Sequence, residues 1–136
     1  GTKNSRGDYR TIEERIGGRL KKNSIYQLIG MACRAGKVSA GTLAVKNSLL
    51  TRRAALLIMS GDISENTRDS LVSTARKRGI PWIVMGDKYT LGAQLGRAYR
   101  VALTINDDGF KEAILRLLDK DGEDDKNALG VVEWQK

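Results

Sequence analysis

The chain of 136 residues carries 24 Lys and Arg against 16 Asp and Glu, a formal net charge of +8, and 40% of its residues are hydrophobic. This length and composition predict one folded domain with a single hydrophobic core. One cysteine and no histidine exclude an internal disulfide, the common zinc cages and every mechanism that needs a histidine base. We therefore expect no metal, no cofactor and no catalysis. Because no apolar stretch approaches the roughly 20 residues of a membrane helix and no signal peptide is evident, we expect a cytoplasmic protein without a membrane partner.

The charge is unevenly distributed along the chain. Residues 119–136 hold six carboxylates and three lysines, so this segment carries −3 and residues 1–118 carry +11. A positive field of this size attracts polyanions and raises their rate of encounter. Nucleic acid is therefore the expected partner, although the same charge also serves solubility.

Both ends of the chain differ in composition from its middle. Residues 1–22 contain few apolar side chains and seven basic against three acidic residues, which predicts a flexible basic arm; a short helix over residues 11–16 is the alternative. Residues 121–136 are predicted to form an acidic mobile tail, in which residues 130–134 are apolar enough to dock weakly. These boundaries leave residues 23–120 as the folded domain.

The first half of this domain shows helical and then strand-like patterns. Apolar residues at i, i+3, i+4 and i+7 from Ile25 predict a helix that begins at Asn23 or Ser24 and ends at Gly36. A short strand over residues 37–39 follows, and a second helix begins after Gly41. The continuous apolar run over residues 55–59 predicts a strand that is buried on both faces.

The second half repeats the alternation. A third helix is predicted to be capped by Asp62 with Glu65 and ended by Gly79, and a second buried strand covers residues 81–85. A short helix over residues 87–95, a strand over residues 100–105 and a last helix capped by Asp107 and Asp108 complete the pattern. This order predicts the α/β class: a three-layer α/β/α sandwich with a small mixed or mainly parallel sheet.

The glycine-rich segments do not form nucleotide-binding motifs. Between Gly30 and Gly36 lie five residues instead of the four of a phosphate-binding loop, and Val38 replaces the Ser or Thr that should follow Lys37. Cys33 borders the apolar stripe of the first helix, which favours a buried, unreactive thiol. The remaining glycines and cations lie at loops and helix ends, where backbone N–H groups and long side chains together meet phosphates.

A family resemblance is carried by three segments that follow one another along the chain: RAGKVSAGTLAVK, ALLIMSGDISENT and GIPWIVMGDKYTLGAQLGRA. Through them the chain resembles the kink-turn-binding ribosomal protein superfamily, written L-seven-Ae, and within it the bacterial YlxQ-like branch. The resemblance covers roughly residues 25–118 and implies a three-layer α/β/α fold. It also implies RNA binding through the start of the second helix and the loop before the last strand. The implied RNA-binding residues are Gly36, Lys37, Gly41, Thr42, Lys46, Lys88, Gly96, Arg97, Ala98 and Tyr99, with the loops of Lys37, Lys46, Lys88 and Arg97 expected to meet.

The chain departs from the family at the residues that read kink-turn bases. Kink-turn specialists carry an Asn-Glu pair after the glycine of the second helix and a Lys three residues further on, whereas this chain has Leu43, Ala44 and Asn47. The first two offer no side-chain donor or acceptor to a base edge, while phosphate contacts survive such a change. The resemblance therefore implies a non-catalytic, ribosome-associated accessory protein that binds structured RNA, with ribosomal RNA as a candidate, and has weakened kink-turn specificity. A protein-interaction module of the same fold is the alternative.

Overall fold

The computed structural model describes the backbone of residues 12–119 and 131–135 and the side chains of residues 23–118. Helices and strands alternate along these residues, and most of their bounds lie within two residues of the predicted ones. The elements are α1 (Ile12–Arg34), β1 (Val38–Ala40), α2 (Thr42–Leu50), β2 (Leu56–Met59), α3 (Glu65–Arg78), β3 (Trp82–Met85), α4 (Lys88–Gln94), β4 (Ala102–Ile105), α5 (Asp108–Asp119) and β5 (Val131–Gln135).

The described strands form one mixed sheet in the order β1-β4-β2-β3-β5. Among the described neighbours, β2 and β3 are the one parallel pair, while β4 is antiparallel to both β1 and β2, and β5 is antiparallel to β3. The predicted mixed sheet is confirmed, and its mainly parallel variant is wrong. Apolar periodicity records how deeply a strand is buried but not which strand lies beside it, so it does not determine strand direction.

Helices cover both faces of the sheet and divide the core into two clusters. On one face α1, α4 and α5 pack against alternate strand residues such as Leu56 and Ile58, and on the other face α2 and α3 pack against Leu57 and Met59. Because successive side chains of a strand point to opposite faces, a strand between two helical layers is apolar throughout. This arrangement confirms the predicted three-layer α/β/α sandwich. Cys33 is half-buried against the first cluster.

Helix α1 begins at Ile12, so the predicted helix start at Asn23 is wrong and part of the predicted arm is helical. Residues 12–22 are rich in Glu, Arg, Leu and Lys, which are strong helix formers, and each interior glycine costs only about 1 kcal/mol. Extending an existing helix is also easier than nucleating a new one. Residues 1–11 lie outside the described residues.

Strand β5 places residues 131–135 beside β3, where Trp134 pairs with Ile83 and Gln135 with Trp82. The docking predicted for residues 130–134 overlaps this strand, and the acidic mobile tail over residues 121–136 stays a prediction. The apolar edge of β3 offers unpaired backbone groups, and a β-branched and aromatic segment satisfies them. Residues 120–130 lie outside the described residues, and the domain boundaries at residues 22 and 120 stay predictions.

The predicted helix ends are largely found. Gly79 ends α3 in the left-handed conformation, with φ of 70°, and Asp107 caps α5 by accepting a hydrogen bond from the Phe110 N–H at 2.9 Å. The predicted cap of α3 is wrong, because Ser64 takes this place and accepts from the Thr67 N–H at 3.3 Å. Asp62 is turned instead toward a different helix, α4.

A small polar cluster holds α2 against the sheet. The Asn106 Oδ1 atom accepts hydrogen bonds from the hydroxyls of Ser48 at 2.8 Å and Thr104 at 2.9 Å, both of which are fully buried. The Asn106 side-chain amide donates to the Ser39 hydroxyl at 3.0 Å. Because α2, β1 and β4 meet in this cluster, it anchors the last turn of α2 to the sheet. Among the helices that the structure describes, none combines the length and apolar character needed to cross a membrane.

Candidate nucleic-acid interface

Four chain segments meet at one edge of the sheet, where β1, β2 and β3 end and β4 begins. We call it the carboxyl edge and define it by residues 41–46, 60–62, 86–89 and 95–101. Backbone hydrogen bonds connect these segments: Gly41 N–H donates to Ala102 at 3.1 Å, Gly61 N–H to Gly86 at 2.8 Å and Arg100 N–H to Lys88 at 2.9 Å. The positions of the four segments relative to one another are thus set by the backbone.

The start of α2 presents backbone N–H groups at the carboxyl edge. Gly41 precedes the helix with φ of 93°, a conformation that favours glycine, and no described side chain caps the first N–H groups of α2. A Cβ atom at Gly41 would lie 3.9 Å from Nε of Arg100, which shows how close the loop before β4 comes. Uncapped N–H groups beside a cation favour an anion at this position.

A surface groove of about 380 Å³ separates α2 from α3. Lys46 crosses it and donates a hydrogen bond to the Ser70 hydroxyl at 3.0 Å. Leu43 lies at its rim with 86% of its surface exposed. The lining consists of Thr42, Leu43, Lys46, Asn66, Thr67, Ser70 and Leu71.

Lys88 is the first residue of α4 and lies between two exposed aromatic rings. Its Nζ atom is 5.4 Å from the ring centroid of Tyr89 and 5.8 Å from that of Tyr99, and these tyrosines are 62% and 56% exposed. The carboxylate of Asp62 accepts a hydrogen bond from the Lys88 N–H at 3.1 Å, while Asp87 caps α4 through the Tyr89 and Thr90 N–H groups. The result is a cation held beside two flat apolar faces.

The loop before β4 packs directly on α4 because Gly92 has no side chain. A Cβ atom there would lie 2.6 Å from Cα and 2.8 Å from N of Tyr99. The Arg97 N–H donates to the Gly92 carbonyl at 2.9 Å, and Gly96 turns the loop with φ of 69°. This packing leaves Arg97, Ala98 and Tyr99 exposed at the carboxyl edge.

Residues 23–115 match the sequence model of the ribosomal protein L7Ae/L30e/S12e/Gadd45 family. The chain belongs to this family. It is 30% identical to the RNA-binding protein YlxQ of Bacillus subtilis over 94 residues, which cover 69% of this chain and 94% of that protein. A protein of unknown function from Bacillus halodurans C has a similar solved structure, with 28% identity, a TM-score of 0.67 and coverage of 70% of this chain and 96% of that one.

The 15.5kD RNA binding protein of Giardia lamblia shares the fold at 15% identity, with a TM-score of 0.61 and coverage of 82% of this chain and 90% of that one. The matched region of the L7Ae family contains α2, α4 and the loop before β4, and so includes the whole carboxyl edge. It leaves the first turns of α1 and the strand β5 outside.

Within this L7Ae-family fold the structure brings eight of the predicted site residues to one side of the molecule. Gly41, Thr42 and Lys46 lie on the start of α2, Lys88 lies on α4, and the other four lie in the loop before β4; these four are Gly96, Arg97, Ala98 and Tyr99. Leu43, Ala44 and Asn47, the three residues at which the sequence is expected to depart from kink-turn specialists, are all exposed on α2.

Gly36 and Lys37 do not join the other eight. The Lys37 carbonyl accepts a hydrogen bond from the Asn106 N–H at 2.7 Å, at the end of β4 and therefore at the opposite edge of the sheet. Strand β1 separates Lys37 from Gly41, a distance of about 13 Å for four extended residues. The predicted meeting of the Lys37 loop with those of Lys88 and Arg97 does not form.

Sequence reasoning missed the part that two residues play at the carboxyl edge. Tyr89 supplies the second ring beside Lys88, and Asp62 fixes the backbone of Lys88. Arg100, one of the cations that the sequence places near this loop, donates to the Tyr99 carbonyl at 2.7 Å. The signal for Tyr89 is its place directly after a predicted site lysine. Asp62 gave no such signal, since its partner is 26 residues away.

Tyr26 supports the carboxyl edge from below. Its side chain is 7% exposed, and a Cβ atom at Gly86 would lie 2.5 Å from its hydroxyl oxygen. Burial, and secondarily the negative charge of Asp87, raise the pKa of Tyr26 above its ordinary value. The phenol is therefore neutral at physiological pH and acts as a packing group under the loop between β3 and α4.

Proposed function

We propose that this chain is a non-catalytic, ribosome-associated accessory protein that binds structured RNA at the carboxyl edge. The observation that carries the proposal is the position of Lys88, whose ammonium lies between the exposed rings of Tyr89 and Tyr99. In this arrangement the ammonium can contact a phosphate, and each of the two aromatic rings can stack on an unstacked base. The charge of +11 over residues 1–118 and the name of the Bacillus subtilis relative, an RNA-binding protein, support the same function.

The contacts available at the carboxyl edge favour phosphates over base edges. Lys46, Lys88 and Arg97 provide positive charge, and the uncapped N–H groups of α2 provide backbone donors. Leu43 and Ala44 are exposed where kink-turn specialists present Asn and Glu, and they have no polar side-chain atoms. We therefore infer weakened kink-turn specificity together with retained, salt-sensitive affinity.

The proposal is tested by titrating the protein with a kink-turn RNA and with a matched duplex at two salt concentrations. Similar affinities for both RNAs, falling steeply with salt, are expected because phosphate neutralisation dominates. A strong preference for the kink-turn that persists at high salt would show that Leu43 and Ala44 do not prevent base recognition. Absence of binding to either RNA at low salt would refute RNA binding itself.

The site is tested by replacing Lys88 and Arg97 together with glutamine. Removing two phosphate contacts should weaken binding and flatten the slope of log affinity against log salt by about 2, at about 0.9 per contact. The matched control replaces Arg34 and Arg116 with glutamine, since both are exposed on α1 and α5, across the sheet from α2. Equal losses in both variants would mean that overall charge, and not the carboxyl edge, binds the RNA.

A protein-interaction module remains a second candidate because of one observation. Leu43 is 86% exposed at the rim of the groove between α2 and α3, and an apolar side chain in that position suits a protein surface as well as a sugar or base. This candidate predicts that Leu43→Ala abolishes capture of a protein partner while the protein shows no affinity for RNA.

A further inference from the structure

A second cationic surface lies on α3, outside the carboxyl edge. A groove of about 450 Å³ runs along this helix, and its lining includes Arg68, Ser73, Arg76 and Lys77, with Asp69 as the acidic residue among those described. Arg68 and Arg76 are eight residues apart, which corresponds to about 12 Å along a helix. The groove therefore presents positive charge along more than two helical turns.

The guanidinium of Arg76 is held in place within this surface. Its central carbon lies 5.2 Å from the ring centroid of Trp82, and the Trp82 side chain is 2% exposed, so the ring is a fixed platform in the core. A guanidinium over an aromatic face keeps its N–H donors at the rim and loses less conformational entropy when it binds an anion. This geometry distinguishes Arg76 from a freely moving surface cation.

Helix α3 separates the α3 groove from the proposed RNA-binding surface, and the two lie on different sides of this helix. Helix α3 begins next to the carboxyl edge, with five residues between the end of β2 and its start, and its first turns line the α2–α3 groove through Asn66 and Ser70. Lys46 of α2 donates its hydrogen bond to Ser70, which connects the two helices across that groove. A polyanion bound at the carboxyl edge reaches the α3 groove by passing over the first turn of α3, which follows residues 60–62 of that edge.

We propose that the α3 groove, through Arg76 and Lys77, binds a second stretch of the backbone of the same RNA, and so extends the footprint beyond the carboxyl edge. This proposal rests on the proposed function, because the RNA is first held at the carboxyl edge. The contact is to phosphates, since the groove offers cations and a hydroxyl but no exposed aromatic face among its described lining. Its signature is a dependence of affinity on RNA length.

The test compares a short hairpin RNA, whose stem reaches only across the carboxyl edge, with a long stem that also passes over α3. Wild-type protein should bind the long stem more tightly and with a steeper salt slope. In the double variant with Arg76→Gln and Lys77→Gln the slope for the long stem should fall by about 2, at about 0.9 per phosphate contact, while binding of the short hairpin stays unchanged. Lys77→Gln alone, which does not touch Trp82, should give half of this change, and circular dichroism checks that each variant folds.

The control is the pair Arg34→Gln and Arg116→Gln, which removes the same charge from the opposite helical layer. The proposal is wrong if this pair weakens binding of the long stem as much as the α3 pair, or if the α3 pair has no effect on the long stem. If the α3 pair loses affinity for a poly-glutamate peptide but not for the long stem, the groove binds an acidic protein segment, and the proposal is also overturned. If wild-type protein binds neither RNA at low salt, the proposed function itself fails, which is a distinct result.

Discussion

Replacing Gly92 by alanine tests whether the shape of the loop before β4 depends on close packing against α4. The added Cβ would lie 2.6 Å from Cα of Tyr99 and 2.9 Å from the Arg97 carbonyl oxygen, and both are backbone atoms that do not rotate away. The loop must therefore move off the helix, which breaks the hydrogen bond from the Arg97 N–H to the Gly92 carbonyl. Overpacking of this kind costs about 1–3 kcal/mol.

The matched control is Gly30→Ala in α1, where the new Cβ meets Nη1 of Arg34 at 3.4 Å and the Gln94 carbonyl oxygen at 3.5 Å. Both glycines lie inside helices, so both variants gain about 1 kcal/mol from helix propensity. This gain cancels in the comparison, and the difference between the two unfolding free energies should equal the packing cost of about 1–3 kcal/mol.

Chemical denaturation measures the two free energies, and an RNA titration measures the consequence at the carboxyl edge. Gly92→Ala should be the less stable variant and should bind RNA more weakly, because Arg97 and Tyr99 move with the loop. Gly30→Ala should be at least as stable as the wild type and bind normally. Equal stabilisation of both variants would refute the reasoning, since it would show that the loop accommodates a methyl group without strain.

Three further outcomes are expected. Lys37→Gln should lower RNA affinity no more than the control pair Arg34→Gln and Arg116→Gln, because Lys37 lies at the opposite edge of the sheet from the carboxyl edge. An RNA titration of both variants measures this. Asn106→Ala should reduce the free energy of unfolding in a urea titration by about 2–6 kcal/mol, because the buried hydroxyls of Ser48 and Thr104 lose their acceptor and each unsatisfied group costs about 1–3 kcal/mol. A loss below about 1 kcal/mol would mean that these hydroxyls find other partners. The raised pKa of Tyr26 contributes stability that is present below pH of about 10 and is lost as the pH rises through the folded-state pKa, so Tyr26→Phe should diminish the alkaline fall in melting temperature.

The elements of the core were predictable from the sequence because burial leaves a clear pattern. Residues 56–59 and 82–85 are covered on both faces, so no polar residue interrupts either run. Gly79 marks the end of α3 because the left-handed conformation there favours glycine. The direction of β4 was not predictable, since strand pairing depends on contacts between distant segments.

The candidate site was predictable only where its residues are close in sequence or match a family segment. The loop of Arg97 and Tyr99 and the start of α2 were found in this way. Lys37 was misplaced because it is four residues from Gly41, and a strand of three residues is enough to carry it to the other edge. Asp62 was assigned to the cap of α3, since local sequence does not reveal that Ser64 fills that role and that the Lys88 N–H is a competing partner.

Strand β5 has a consequence for how the protein behaves when it is shortened. The family model matches residues 23–115 of this chain, so a version cut at residue 119 would keep the whole region that this model matches. It would nevertheless expose the edge of β3, whose four residues Trp82–Met85 are apolar and whose backbone groups would then lack the partner that β5 supplies. An open, apolar strand edge is a template for pairing with other chains. The shortened protein should therefore self-associate at concentrations at which the full chain stays dispersed. Strand β5, which the family match leaves out, thus protects the edge of β3 from pairing with other chains.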